Sequence, residues 1–286
     1  MSSKGMSLKG RINNYAKKNG IAAQVVLQNY MFERFLERLA RSEYRQKFVI
    51  KGGMLVTAIV GIDTRATMDL DTTIRNLPLT EHQISDAILS VCGIPVDDDV
   101  SFQIVSVEPI RKDDIYGGYR VRLDAVYDSV LTPLSIDIST GDIITPSPVE
   151  YEFHGMLDPD LSISLWGYNV ETILAEKVET ILRRGVLSTR PRDFYDVYIL
   201  EKTQDYQPEL FRRALQATAE HRGSNAILMK TGEIVSRLES SEDLKQQWAG
   251  YQRQFSYASQ IEYKSLIDTL GRLIATASDD RTQNRT

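Results

Sequence analysis

The run Phe48-Val49-Ile50-Lys51-Gly52-Gly53-Met54-Leu55, followed within twenty residues by Arg65-Ala66-Thr67-Met68-Asp69-Leu70-Asp71-Thr72-Thr73-Ile74, restricts the folds open to this chain more than any other feature. An apolar strand, Phe48 to Lys51, meets a glycine pair, and the pair opens a short apolar helix predicted over Gly52–Val60. A second strand, predicted over Met68–Ile74, then carries aspartates at alternate positions. Alternate strand residues face the same side, so Asp69 and Asp71 are expected side by side, roughly 7 Å apart along the strand. Two carboxylates at that spacing can share divalent cations, while backbone N–H groups at a glycine turn and helix start can hold phosphates. The combination points to Mg²⁺-dependent (or Mn²⁺-dependent) transfer of a nucleotide.

The rest of the chain extends this α/β core. Ser7 is placed to cap a first helix that Gly20 ends, and a longer helix follows with Val25, Phe32, Phe35, Leu36 and Leu39 at three- and four-residue steps. Thr80-Glu81-His82-Gln83 is a capping box opening a helix to about Val91. From Ser101 to Thr140 apolar residues alternate, and the Tyr116-Gly117-Gly118-Tyr119 turn makes the first two of three strands a hairpin. Pro146, Pro148 and Pro159 mark an irregular joint. Beyond it the pattern is helical: Asn169 caps a helix through Arg184, and Pro191 occupies the first turn of the next. Further helices are predicted roughly over 208–221, 226–239, 242–254 and 259–277, and the polar tail from Ser278 is expected to be disordered. The predicted class is α+β, with a mixed α/β domain at 1–165 and a helical domain at 166–286.

Composition narrows the class. With 286 residues, 42% hydrophobic and 26% charged, the chain is that of an ordinary globular protein. Its only cysteine, Cys92, excludes an intramolecular disulfide and fits a reducing cytosol. The polar start lacks a secretory core, and the longest apolar stretch, Gly52 to Ile62, is too short to span a bilayer. A cytoplasmic protein without a membrane partner is expected. The net charge of −5 is uneven, because residues 1–50 hold ten Lys/Arg against three acids. That leaves +7 there and −12 elsewhere. Such a basic arm can hold a polyanion, though a solvated helical face explains the same charges.

Further candidates for chemistry lie on a third strand and in the helical half. Asp137, within Leu134-Ser135-Ile136-Asp137-Ile138-Ser139, is either a metal ligand or an acid on a wet sheet face. Lys177, one turn from Ile173 and Ile181, either snorkels from an apolar stripe or is directed into a site as a triphosphate partner. In Arg190-Pro191-Arg192-Asp193-Phe194-Tyr195-Asp196, Asp193 is placed to complete the pocket, whereas Arg192 and Asp196 have the spacing of a surface ion pair. The three histidines, His82, His154 and His221, show no metal-ligand spacing, and no P-loop, zinc-protease or hydrolase-elbow motif occurs.

Taken in order, Lys51-Gly52-Gly53, Arg65-x-Thr67-x-Asp69-Leu70-Asp71, Asp137-Ile138-Ser139-Thr140-Gly141-Asp142, Ala175-Glu176-Lys177 and Arg190-x-Arg192-Asp193-Phe194-Tyr195-Asp196 give a specific likeness. The chain resembles the AbiEii/AbiGii nucleotidyltransferase-like toxin family, on its AbiEii side, over nearly its whole length. The resemblance implies a DNA-polymerase-β-like mixed sheet with flanking helices and a C-terminal helical domain. It implies a bacterial type IV toxin that arrests growth and limits phage spread, with a cognate antitoxin acting without stable direct contact. GTP or another nucleoside triphosphate is the implied substrate, and RNA, above all tRNA, the implied acceptor. By the same resemblance Asp69 and Asp71 bind metal, with Asp137 a further candidate, and Asp193 is an essential acid. Gly52, Gly53, Arg65, Thr67, Lys177 and Arg192 are the candidates for holding the nucleotide. Met54 stands where many broader nucleotidyltransferases have serine, so phosphate grip there falls to backbone N–H groups.

Overall fold

A computed structural model describes residues 3–62, 64–65, 67–76, 80–110 and 117–278. The chain divides into two compact units, Met1–Asp142 with Pro148–Tyr168, and Ile143–Ser147 with Asn169–Thr286.

The first unit is built on a seven-stranded mixed sheet. Its elements run α1 (Ser3–Asn19), α2 (Ala23–Arg41), β1 (Phe48–Lys51), α3 (Gly52–Val60), β2 (Leu70–Ile74), α4 (Glu81–Cys92), β3 (Val100–Pro109), β4 (Gly118–Tyr127), β5 (Val130–Thr140), β6 (Val149–His154) and β7 (Ser162–Gly167). The strand order is β3-β4-β5-β2-β1-β7-β6. Parallel pairs join β2 to β5 and β1 to β7; the remaining neighbours are antiparallel. Strand parity sorts the side chains. Ile50, Leu70, Thr72, Val121, Leu123, Ile136 and Ile138 are fully buried, and α2 packs on β5 and β7. Phe32, Phe35, Leu36 and Leu39 of α2, the residues of its apolar stripe, are buried in that core. The opposite parity carries Lys51, Asp71, Asp137, Ser139 and Arg120, none of which is buried.

Several local expectations hold. The Thr80 hydroxyl accepts from Gln83 N at 3.3 Å, and Gly20 takes a left-handed φ of 66° at the end of α1. Others need correction. α1 starts at Ser3, so Ser7 lies inside it rather than at its cap. β2 begins at Leu70, leaving Asp69 exposed one residue before the strand rather than within it. The joint marked by three prolines contains the β6–β7 hairpin, with Phe153, Ile163 and Leu165 buried. Tyr116, the start of the expected turn, and residues 279–286 lie outside the described residues; Gly118 already belongs to β4.

The basic surplus of the first fifty residues is partly internal. Arg34 and Arg38 are buried, and Arg38 grips Asp98 with two bonds of 2.6 and 2.8 Å while donating to Val100 O at 2.7 Å. Most of the exposed part is on α1, which has Lys4, Lys9, Arg11, Lys17 and Lys18 and no acidic residue, and Arg41 at the end of α2 adds to it.

The second unit is helical: α5 (Val170–Arg184), α6 (Pro191–Thr203), α7 (Pro208–His221), α8 (Thr231–Ser240), α9 (Glu242–Gln254) and α10 (Tyr263–Ser278). Asn169 caps α5 by accepting from Thr172 N at 2.8 Å, and its amide also donates to Thr145 O and Ser147 O at 2.9 and 2.8 Å. Glu179, fully buried on α5, meets Arg222, Arg183 and Ser224 at 2.6–2.9 Å, tying α5 to the end of α7. No described helix is long and apolar enough to cross a membrane.

Candidate active site

The glycine pair is locked into place by the residues that follow it in sequence. Gly52 has φ +62°, a left-handed conformation that glycine adopts without strain. A Cβ on Gly52 would run into the Asp71 carboxylate, with Asp71 Cγ only 2.8 Å away. On Gly53 a Cβ would stand 2.5 Å from Arg65 Nη1 and 2.6 Å from Thr67 Oγ1. Arg65 is 1% exposed and Thr67 3%, so both lie beneath the turn as enclosed supports. The glycine turn, Arg65, Thr67 and Asp71 thus form one interlocked body in the first unit.

Register places a row of charges across the sheet beside that turn. Lys51 is the partner of Asp71, Asp71 of Asp137, and Asp137 of Arg120, so side chains on β1, β2, β5 and β4 share one face. Directly opposed residues on neighbouring strands stand close enough to interact. Arg120 donates from Nε and Nη2 to the two oxygens of Asp137, both at 2.7 Å. These hydrogen bonds and the Asp137 charge hold the Arg120 guanidinium more basic than usual, with smaller contributions from Asp69 and Asp71. At the other end of the row, Lys51 Nζ reaches Asp142 Oδ2 at 2.5 Å and Ser139 Oγ at 2.8 Å, and Tyr168 OH donates to the same Asp142 oxygen at 2.8 Å. Burial works to raise the Asp142 carboxyl, but the Lys51 charge and the bonds from Lys51, Ser139 and Tyr168 outweigh it and hold it below the usual carboxylate range.

The second unit carries a separate cluster. Lys177 on α5 places Nζ 2.6 Å from Asp193 Oδ1 and 2.9 Å from Asp196 Oδ2. Asp196 is fully buried and Asp193 5% exposed. The ammonium therefore points inward to two carboxylates instead of snorkelling. This corrects the surface ion pair expected between Arg192 and Asp196: Asp196 is committed to Lys177, and Arg192 lies 5.9 Å from the centroid of the Phe255 ring.

Residues 34–269 match the model of the AbiEii family, described as nucleotidyl transferase AbiEii toxins of type IV toxin–antitoxin systems. The chain belongs to this family. Two crystal structures from Helicobacter pylori share the AbiEii-family chain's fold at 16% identity. One, assigned as a candidate nucleotidyltransferase, aligns with a TM-score of 0.50 over 92% of this chain and 97% of its own. The other, JHP933, aligns at 0.51 over 92% and 94%. No curated protein matches the chain. The nucleotidyltransferase fold read from the AbiEii motifs is the fold observed.

AbiEii membership implies a nucleoside triphosphate and, for the nucleotidyltransferase class, a divalent cation. Asp69, Asp71 and Asp137 are oxygen donors of the kind Mg²⁺ and Mn²⁺ take. Among the described residues, however, no three His, Cys, Asp or Glu side chains are grouped to hold an ion, and Asp137 has both oxygens on Arg120. Sequence reasoning overlooked Arg120 and Tyr168, and gave Lys51 and Asp142 only as members of motifs, without a role. Arg120 and Asp142 lie 17 and 91 residues from the partners that define them, so only strand register reveals them.

Proposed function

We propose that this AbiEii-family protein is a metal-dependent nucleotidyltransferase toxin that transfers a nucleotide from GTP or another nucleoside triphosphate to RNA, with tRNA the favoured acceptor. The observation that carries the reading is the interlock of Gly52 and Gly53 with Asp71, Arg65 and Thr67. A glycine turn opening a helix offers backbone N–H groups to phosphate, and here it is built directly against a carboxylate suited to a cation. In the transfer, an acceptor hydroxyl oxygen bonds to the α-phosphorus as the bond to the pyrophosphate leaving group breaks. A cation bound by Asp69 and Asp71, with Asp137 completing the set, would polarise the phosphate oxygens. Arg65 and Thr67 hold the turn in shape from below.

In the helical unit we assign Lys177 as a charge for nucleotide phosphate, with Asp193 the essential acid beside it and Arg192 a further cation. The exposed cations of α1, a helix without acids of its own, favour RNA over a protein acceptor, because phosphate backbones bind through Lys and Arg by releasing counterions. The type IV class supports an antitoxin partner, which we take to act without stable direct contact, in a cytoplasmic setting.

The test is incubation of purified protein with each α-³²P-labelled nucleotide, Mg²⁺ or Mn²⁺, and total RNA. Label in the tRNA fraction is expected, and its loss in Asp71→Asn. Label on protein instead would replace the acceptor, and tight GTP binding without any transfer would make the chain a nucleotide-binding module.

A further inference from the structure

Among the described residues, Arg120 and Asp137 form the one bidentate arginine–carboxylate pair on the charged sheet face. The fork uses both oxygens of the acid, and such paired bonds are geometrically demanding and stronger than single ones. The pair is nevertheless accessible, with the Arg120 side chain 44% exposed and Asp137 24%. It can open without disturbing the core. Arg122, two residues along β4 on the same face, pairs with Glu108 at 2.9 Å and has no bond to Asp137. Asp137 is the strand partner of Asp71, the acid against the glycine turn, so Arg120 engages the third carboxylate of the set. Among the described residues, no three donors are grouped to hold an ion while Arg120 holds this carboxylate.

We propose that Arg120 is the resting counter-ion of Asp137, and that a divalent cation takes this carboxylate only by displacing Arg120. Cation occupancy and the Arg120–Asp137 fork then exclude one another. The inference rests on the reading that Asp69, Asp71 and Asp137 take a divalent cation. It assigns Arg120 the role of a positioning residue that sets how readily the cation set is completed. A guanidinium and a divalent ion competing for the same lone pairs must each weaken the other's hold, by the reciprocity of linked binding.

The experiment is titration of the full-length protein with Mn²⁺ alone, reading free Mn²⁺ by electron paramagnetic resonance without nucleotide. Arg120→Gln should bind Mn²⁺ about five- to tenfold more tightly than wild type, the scale of one part-exposed bidentate pair. Arg120→Lys keeps the charge but loses the fork and should tighten binding by about threefold. Arg122→Gln removes an equal charge nearby and should change affinity by less than about twofold. Adding Asp137→Asn to Arg120→Gln should erase the gain. Equal tightening in Arg120→Gln and Arg122→Gln would reduce Arg120 to background charge and overturn the proposal, as would wild-type affinity in both Arg120 variants. Absence of Mn²⁺ binding in every protein, even with GTP added, would instead sink the metal reading and this inference with it.

Discussion

Replacing Glu33 with glutamine should make the first unit more stable at alkaline pH, with little effect near pH 4.5 and below. Glu33 lies on α2 with its side chain 13% exposed, and its Oε2 is 3.9 Å from Arg34 Nη2. Its Oε1 accepts from Met156 N at 3.0 Å, while Oε2 has no hydrogen-bond donor among the described residues. Burial pushes the carboxyl from its ordinary 4.5 up to about 8, against the Met156 bond and the Arg34 charge, which both pull it down; Asp158 adds a small push upward. The folded protein therefore keeps a proton that the unfolded chain releases. The stability of the neutral carboxyl is complete below pH 4.5 and lost progressively as pH rises to about 8, beyond which it stays flat. At about 1.36 kcal/mol for each pH unit between those two values, the ceiling is about 5 kcal/mol, and relaxation around Arg34 brings the expected loss to about 2–4 kcal/mol. Glutamine keeps the oxygen that Met156 N needs and carries no charge. Urea unfolding at pH 5, 6.5 and 8.5, in a Trp248→Phe background where Trp166 on β7 reports the first unit, gives the comparison. A Glu33→Gln advantage below about 1 kcal/mol at pH 5, growing to about 2–4 kcal/mol at pH 8.5, is expected. Parallel pH curves, or a wild type that gains on the variant as pH rises, would refute the neutral buried carboxyl.

Gly53→Ala should cost about 2–4 kcal/mol by urea unfolding, because its Cβ would meet Arg65 Nη1 at 2.5 Å and that enclosed arginine cannot retreat; stability within about 0.5 kcal/mol of wild type would dissolve the interlock. Asp196→Asn should cost about 3 kcal/mol, since it removes one of two carboxylates from Lys177 at a fully buried position. A silent Asp196→Asn in both unfolding and label transfer would return Asp196 to the surface-pair role that its spacing from Arg192 first indicated.

Much of the fold was legible because local chemistry and tertiary structure agree. Phe48–Lys51 and Gly52–Val60 appear with the predicted bounds, and the Asn169 cap is made by the side chain that named it. The β6–β7 hairpin was hidden because its strands have six residues each between prolines and loops, too short for alternation to outweigh those breakers. Asp69 was read as a strand residue because parity with Asp71 says nothing about where hydrogen bonding starts. Lys177 and Asp193 were read as parts of one pocket, but the place of Asp196 beside Lys177 depends on how α5 packs against α6, which no spacing within either helix encodes. The surface reading of Arg192 and Asp196 failed for a related reason: i,i+4 spacing does not say which way a side chain turns, and Asp196 faces the core, where Lys177 meets it.

The place of β1 in the sheet has a consequence for synthesis. β1 lies between β2 and β7, and its parallel partners on β7 are Trp166 and Gly167. A ribosome that has finished Thr140 has made five of the seven strands, but β1 still presents one open edge, next to the glycine turn. Such an edge of unpaired backbone invites foreign strands and frays. The turn that the candidate chemistry needs is flanked on both sides only after residue 167 has emerged, so a nascent or truncated toxin would lack the frame for that chemistry. Fragments ending before β7 are accordingly expected to be both harmless to the cell making them and prone to aggregate.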